Sequence, residues 1–181
     1  MFKELTEGCM PTRATKYSAC VDVYASEDVV IGAGETKLVG LGIAIDDSYL
    51  FNKFREHLTD DSNKSVKLQA ESQHNLFLLG HYLSLKPRSS IRAKGLISHS
   101  AVIDLDYKDE IKMIIHNPLS FGKIYYSDDG EISSLAVDDS AYKIKKGDRI
   151  GQITLLEHKS YLFGIESEDV REGGFGSTGE Q

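Results

Sequence analysis

Ala101-Val102-Ile103-Asp104-Leu105-Asp106-Tyr107 is the stretch on which the fold turns. Read as a regular strand, it sends Ile103, Leu105 and Tyr107 to one face and Asp104 and Asp106 to the other, because successive side chains of a strand point in opposite directions. A turn after Asp104 breaks that alternation and brings Asp104 and Tyr107 into one pocket. On its own the pair of carboxylates reads as the solvated end of a hairpin. A carboxylate beside a bound phosphate has a second use: it can orient a water and take its proton.

Working outward, the same texture recurs. Short apolar runs rich in β-branched residues and broken by Gly, Asp, Asn or Ser occupy residues 37–45, 76–85, 101–105, 110–116, 123–126, 149–156 and 161–165. That pattern predicts strands joined by turns, hence an all-β barrel or sandwich. One stretch departs from it. Residues 46–74 are polar, and Asp46-Asp47-Ser48 is placed to cap a short helix carrying Tyr49, Leu50, Phe51, Phe54 and Leu58. Residues 46–76 are accordingly expected to be a partly helical insertion, read first as a surface excursion and second as a protein-binding one. The Asp- and Ser-rich residues 127–140 read as a long hairpin loop.

Composition sets the outer limits. The chain has 181 residues, 21 basic against 28 acidic groups, a net charge of -7 and 40% hydrophobic residues. That length suits one domain with a real core. The acidic balance argues against a polymeric nucleic acid partner, which calls for clustered basic residues. Cys9 and Cys20 form no CxxC pair, and the six histidines show no ligand spacing, so neither a disulfide framework nor a zinc site is indicated. The first twenty residues hold no apolar leader and no run is long enough to span a bilayer, so a soluble protein of the cytoplasm, or of a host's cytoplasm if viral, is expected, with no membrane partner.

Four further segments carry chemistry. Pro87-Arg88-Ser89-Ser90 sets a planar guanidinium beside two hydroxyls, a grouping suited to phosphate and equally common in solvated turns. Lys146-Gly147-Asp148-Arg149-Ile150-Gly151-Gln152 leads into a strand and offers in Gln152 a side chain that both donates and accepts. Asp22, in the run Ala19-Cys20-Val21-Asp22, is an acid among apolar residues and needs a partner if buried. Arg171-Glu172-Gly173-Gly174-Phe175-Gly176-Ser177-Thr178-Gly179 reads alone as a frayed end, yet its small residues can turn N–H groups toward an anion and its Phe can cover a flat base.

In this order the segments resemble the five motifs of the trimeric dUTPase family, over residues 11–45 and 77–179. The resemblance implies a jelly-roll-like β-sandwich or distorted barrel, one domain over 1–181 with the insertion at 46–76 and a flexible arm at 170–181, assembled as a homotrimer with sites at subunit interfaces. It implies hydrolysis of dUTP to dUMP and pyrophosphate, with Mg2+ held chiefly by the triphosphate, keeping uracil out of DNA and supplying dUMP. Carried over by position, Asp104 matches the general base, with Ile103 beside it at the substrate, and Tyr107 matches the residue under the deoxyribose. Arg88, Ser89, Ser90 and Gln152 match phosphate-handling groups. Asp22 matches an acid that meets the metal through water. Arg171 matches a γ-phosphate ligand, Phe175 the aromatic over uracil, and Gly176, Ser177 and Thr178 residues beside the phosphates. Two alternatives stand against it. A dCTP deaminase requires a glutamate on the strand after the hairpin, where residues 111–117 read Ile-Lys-Met-Ile-Ile-His-Asn. A regulatory nucleotide-binding protein, with 46–76 engaging a partner, has no use for a base at Asp104.

Overall fold

The computed structural model describes residues 1–56, 64–118, 120–126, 132–138 and 141–165. In chain order the strands are β1 (Phe2–Glu4), β2 (Val21–Tyr24), β3 (Val29–Ile31), β4 (Thr36–Gly40) and β5 (Ile43–Ile45). Helices α1 (Asp47–Glu56) and α2 (Lys64–Gly80) follow, then β6 (His81–Pro87), the short α3 (Ser89–Ala93), β7 (Ala101–Asp104), β8 (Lys112–His116), β9 (Ser120–Tyr126), β10 (Ile132–Asp138), β11 (Tyr142–Ile144) and β12 (Arg149–Glu157). A 3-10 turn covers Ser160–Phe163.

All pairing among these strands is antiparallel: a four-stranded sheet in the order β2-β12-β6-β7, and the two-stranded pairs β1-β5, β3-β11, β4-β8 and β9-β10. Alternation decides what they bury. Along β8, Met113 and Ile115 are buried while Ile114 between them is 52% exposed. With Val23, Leu83, Leu85, Ile150 and Ile153 they form one continuous apolar core. Each such side chain contributes roughly 1.5–3 kcal/mol by leaving water. The fold is therefore all-β with a helical excursion, as expected.

Several boundaries differ from the sequence expectation, each for a visible reason. Residues 37–45 are two strands, not one, because the chain turns at Gly42. There φ is +64°, and an added Cβ would lie 2.8 Å from the Cβ atoms of both Cys9 and Thr6. The Gly42 N–H donates to Glu110 Oε1 at 2.8 Å, and its carbonyl accepts from Leu5 at 2.7 Å, so the break is built in. Residues 76–80 belong to the end of α2, and the strand starts only at His81. Residues 161–165 were expected as a strand; 160–163 wind into the 3-10 turn. Residues 132–138, expected as hairpin loop, instead form β10 and pair with β9.

The helical excursion runs past the expected end at 76. Asp46 caps α1: its Oδ1 accepts the Tyr49 N–H at 3.0 Å and the Ser48 hydroxyl at 3.0 Å. Leu50 is buried. The buried ring of His74 on α2 packs edge-on against Phe51 and Phe54 at 5.8 and 6.0 Å, holding the two helices together. Leu58, expected to continue that face, lies outside the described residues. No helix among the described residues is long and apolar enough to cross a membrane.

Candidate functional site

Strand β7 ends at Asp104, and the chain turns at once. The Tyr107 N–H donates to the Asp104 carbonyl at 3.1 Å, Leu105 drops into the core at 3% exposure, and Tyr107 is buried at 7%. Of the two readings open in the sequence, the turn wins over continued alternation. Leu105 is taken inward by the apolar effect, and the turn then directs Tyr107 to the same cavity as Asp104. That cavity has a volume of about 290 Å³, and Leu85, Ile103, Ile111 and Met113 make its wall largely apolar, with His99, Ser100, Asp104 and Lys112 as polar lining. The Tyr107 hydroxyl donates to the Glu110 carbonyl at 3.4 Å, which fixes the ring as a wall. An apolar recess with a few polar groups is the usual make-up of a small-molecule site.

A second cluster forms where β6 ends. Pro87 closes the strand, Arg88 stands extended before α3, and the Arg88 N–H donates to the Ile150 carbonyl at 3.1 Å. Asp22, 8% exposed at its side chain, receives the Arg88 guanidinium on Oδ1 and has Arg149 Nη1 at 3.5 Å from Oδ2. The pairing required of a buried Asp is thus supplied by two arginines from two other elements. Gln152 lies directly opposite Asp22 on one side and Lys86 on the other. Beside this cluster a cavity of about 300 Å³ is lined by Arg88, Ser90, Lys94, Tyr142, Asp148 and Arg149. Three cations and two hydroxyls against one carboxylate around an open recess suit a multiply charged anion. Ser89 is exposed at the start of α3.

The two clusters do not meet within one chain. The register pairs Asp104 with Tyr82, whereas Arg88 is six residues further along the same strand direction, about 20 Å away at ~3.4 Å per residue. Asp22 sits level with Lys86 and three strands across the sheet from Asp104, which also amounts to roughly 20 Å. The cavities share no lining residue. Of the residues singled out in the sequence, Asp22, Arg88, Ser90 and Gln152 come together at one end, and Ile103, Asp104 and Tyr107 at the other. Arg171, Phe175, Gly176, Ser177 and Thr178 lie outside the described residues.

Sequence reasoning did not assign Arg149, Lys94 or Tyr142 to the site. Arg149 sat within the quoted Gly-Asp-Arg-Ile run and needed only the Asp22 pairing to be noticed. Lys94, at the C-terminal cap of α3, and Tyr142 on β11 meet only through tertiary structure, the Lys94 ammonium donating to the Tyr142 hydroxyl at 2.6 Å. Among the described residues no group of three or more His, Cys, Asp or Glu is placed to hold a metal ion. Asp22, already bonded to two guanidiniums, is no chelating ligand, and this donor set fits only an ion whose ligands are substrate oxygens and water.

No family model matches the chain. Curated relatives do. The deoxyuridine 5'-triphosphate nucleotidohydrolase of Rickettsia bellii (strain OSU 85-389) is 31% identical over 182 residues, spanning 95% of this chain and 88% of that protein. That of Debaryomyces hansenii is 28% identical over 189 residues, spanning 99% and 86%. Among solved structures, the dUTPase from phage phi11 of S. aureus is similar over 98% of this chain and 97% of its own, with a TM-score of 0.55 and 20% identity. A variant of the Staphylococcus bacteriophage 80alpha dUTPase with dUpNHpp gives 0.58 and 21% over 99% and 98%. The structural likeness speaks for the fold. The sequence likeness runs through both clusters and nearly end to end, and with it the chain belongs to the deoxyuridine 5'-triphosphate nucleotidohydrolase family, the dUTPases.

Proposed function

We propose that this chain hydrolyses dUTP to dUMP and pyrophosphate, and that it does so as a homotrimer whose sites each join the Asp104 cavity of one subunit to the Arg88 cluster of the next. The observation that carries this reading is the division of the family's motif residues into two half-sites about 20 Å apart on one sheet. A base acts on a water only at contact distance, roughly 3 Å. A chain with both halves so far apart catalyses nothing alone, and a second copy supplies the missing half without any rearrangement of the sheet.

In this reading the Asp104 carboxylate orients a water and takes its proton as the water attacks the α-phosphorus, and pyrophosphate leaves. Tyr107 packs beneath the deoxyribose and leaves no room for a ribose 2'-hydroxyl. Ile103 and its neighbours give the base and sugar an apolar wall, while backbone groups of the turn pair with uracil's edge, so that cytosine leaves buried polar atoms unpaired. Arg88, Ser89, Ser90 and Gln152 hold phosphate oxygens, and Arg149 keeps Asp22 and Arg88 in register. Asp22 would hold, through water, a magnesium ion brought in with the triphosphate, and that ion would supply positive charge where negative charge builds. Phe175 with Gly176, Ser177 and Thr178 covers the bound nucleotide, and Arg171 reaches the γ-phosphate.

The test is pyrophosphate release from dUTP and from the four common deoxynucleotides by the full chain with Mg2+. Turnover confined to dUTP is expected. Asp104→Asn should lower kcat by about 10³-fold, in the range of general-base effects, while holding the affinity for the α,β-imido analogue within a few-fold. A wild-type chain that binds dUTP without releasing pyrophosphate would overturn the reading.

A further inference from the structure

The anion cavity has a member that the family's motif residues, as carried over above, do not include. Lys94 stands six residues after Arg88, at the far end of the short α3 turn, and lines the same recess as Arg88, Ser90 and Arg149. The ammonium donates to the Tyr142 hydroxyl at 2.6 Å and lies 5.2 Å from the centre of the same ring, so strand β11 holds it in place.

The charges around it are unequally used. Arg88 and Arg149 both lean on the Asp22 carboxylate, so much of their charge is already offset before any ligand arrives. Asp148, the acid in the cavity lining, is tied to the Lys145 N–H at 2.9 Å. The Lys94 ammonium instead bonds a hydroxyl and feels the Asp148 carboxylate only through space. The hydrogen bond to Tyr142, then that ring's field and, more weakly, the Asp148 carboxylate raise the Lys94 pKa above its ordinary value, so the group stays charged. Arg88 and Lys94 thus stand at opposite ends of α3, about 9 Å apart along its axis at ~1.5 Å per residue. That spacing lets one end hold the phosphate next to the scissile bond and the other hold a more distant one.

We propose that Lys94, positioned by Tyr142, is a specificity-determining contact for the terminal phosphate, the group by which this site tells a nucleoside triphosphate from a diphosphate. The proposal rests on the dUTP reading of this cavity. An ammonium is a compact point charge suited to a terminal phosphate that carries the highest charge density, whereas Arg88 offers the planar fork suited to a pair of non-bridging phosphate oxygens.

The experiment compares the full-length wild type with Lys94→Met, Lys94→Arg and Tyr142→Phe. It measures kcat and KM for dUTP, and dissociation constants for the α,β-imido analogue of dUTP and for dUDP. Loss of a partly exposed charge-assisted contact should raise KM and the analogue's Kd about 10-fold in Lys94→Met. The Kd for dUDP should move less than about 3-fold and kcat should hold, since an interaction equal in ground and transition states appears in KM. Lys94→Arg should recover most of the triphosphate preference. Tyr142→Phe removes the hydroxyl but not the charge, and should cost less than Lys94→Met. Equal losses for analogue and dUDP, or no loss in either, would sink the Lys94 assignment while leaving dUTP turnover standing. A wild type that fails to hydrolyse dUTP would sink the parent reading and this one with it.

Discussion

Mixing two inactive variants tests the composite site directly. A chain with Asp104→Asn keeps an intact Arg88 cluster, and a chain with Arg88→Ala keeps an intact Asp104 cavity. The register sets these groups about 20 Å apart within a chain, against the roughly 3 Å that proton transfer needs. Neither variant can therefore repair itself, but neighbours can repair one another. In a closed ring assembled at random from equal amounts, a site has about a one-half chance of drawing a native Asp104 and an independent one-half chance of drawing a native cluster, so about one quarter of sites are complete. The assay is pyrophosphate release after the two chains are unfolded together and refolded, per site, against wild type treated in the same way. A recovery of about one quarter is expected from that assortment, with each variant alone near background. Gln152→Ala in place of Arg88→Ala gives the same arithmetic and leaves the Asp22–Arg88 pair intact, which separates a folding defect from a missing contact. Mixing Asp104→Asn with a chain carrying both substitutions must recover nothing. A mixture no more active than its better parent would refute the composite site, whatever the specificity of the enzyme.

Two further outcomes concern stability. Asp22→Asn leaves two guanidiniums facing a neutral amide at a site 8% exposed, and because Arg149 is 54% exposed the cost should fall below that of a fully buried broken pair, at about 2 kcal/mol. That corresponds to a Tm lower by about 4–8 °C for a chain of this length, read by thermal melting at equal chain concentration, and an unchanged Tm would mean that the triad carries no net stabilisation. Asp46→Ala removes the cap of α1. The Asp46 carboxyl is held below its ordinary value first by the Tyr49 N–H and then by the Ser48 hydroxyl, so its contribution is complete above the unfolded pKa and disappears as pH falls through the lower folded one. Wild type and variant should therefore differ in Tm near neutrality and converge in acid. A difference that stays constant with pH would show that the cap acts through something other than its charge.

The chemistry was legible where it is local. Proline sets the turn before Arg88, a short polar side chain caps α1, and the order of short motifs along the chain already separated this sequence from other β proteins. Strands β6, β7 and β12 of the four-stranded sheet and the β4-β8 pair were legible for the same reason, since alternation of apolar and polar residues is imposed by backbone geometry; β2, four residues long, was not among the expected strands. The misreadings at 76–80 and 161–165 share a cause: a short apolar run is compatible with helix, strand or turn, and packing chooses. At 132–138 the error ran the other way, since serines and an aspartate masked a strand that pairing with β9 reveals. Leu76, Leu78 and Leu79 looked like strand residues, but Phe77 and His74 on the same segment pack against α1 and draw it into α2.

By itself the sequence determined which groups this protein possesses and in what order: a carboxylate beside a tyrosine, a guanidinium beside two serines, an acid in an apolar run. Those follow from side-chain chemistry and near-neighbour spacing. Tertiary structure alone decided which of them share a cavity. Strand pairing joins residues far apart in the chain at fixed register, so it brought Asp22, Arg88 and Arg149 to one end of the sheet and Lys94 against Tyr142. The same register carried Asp104 to the other end, out of reach of the Arg88 cluster of its own chain.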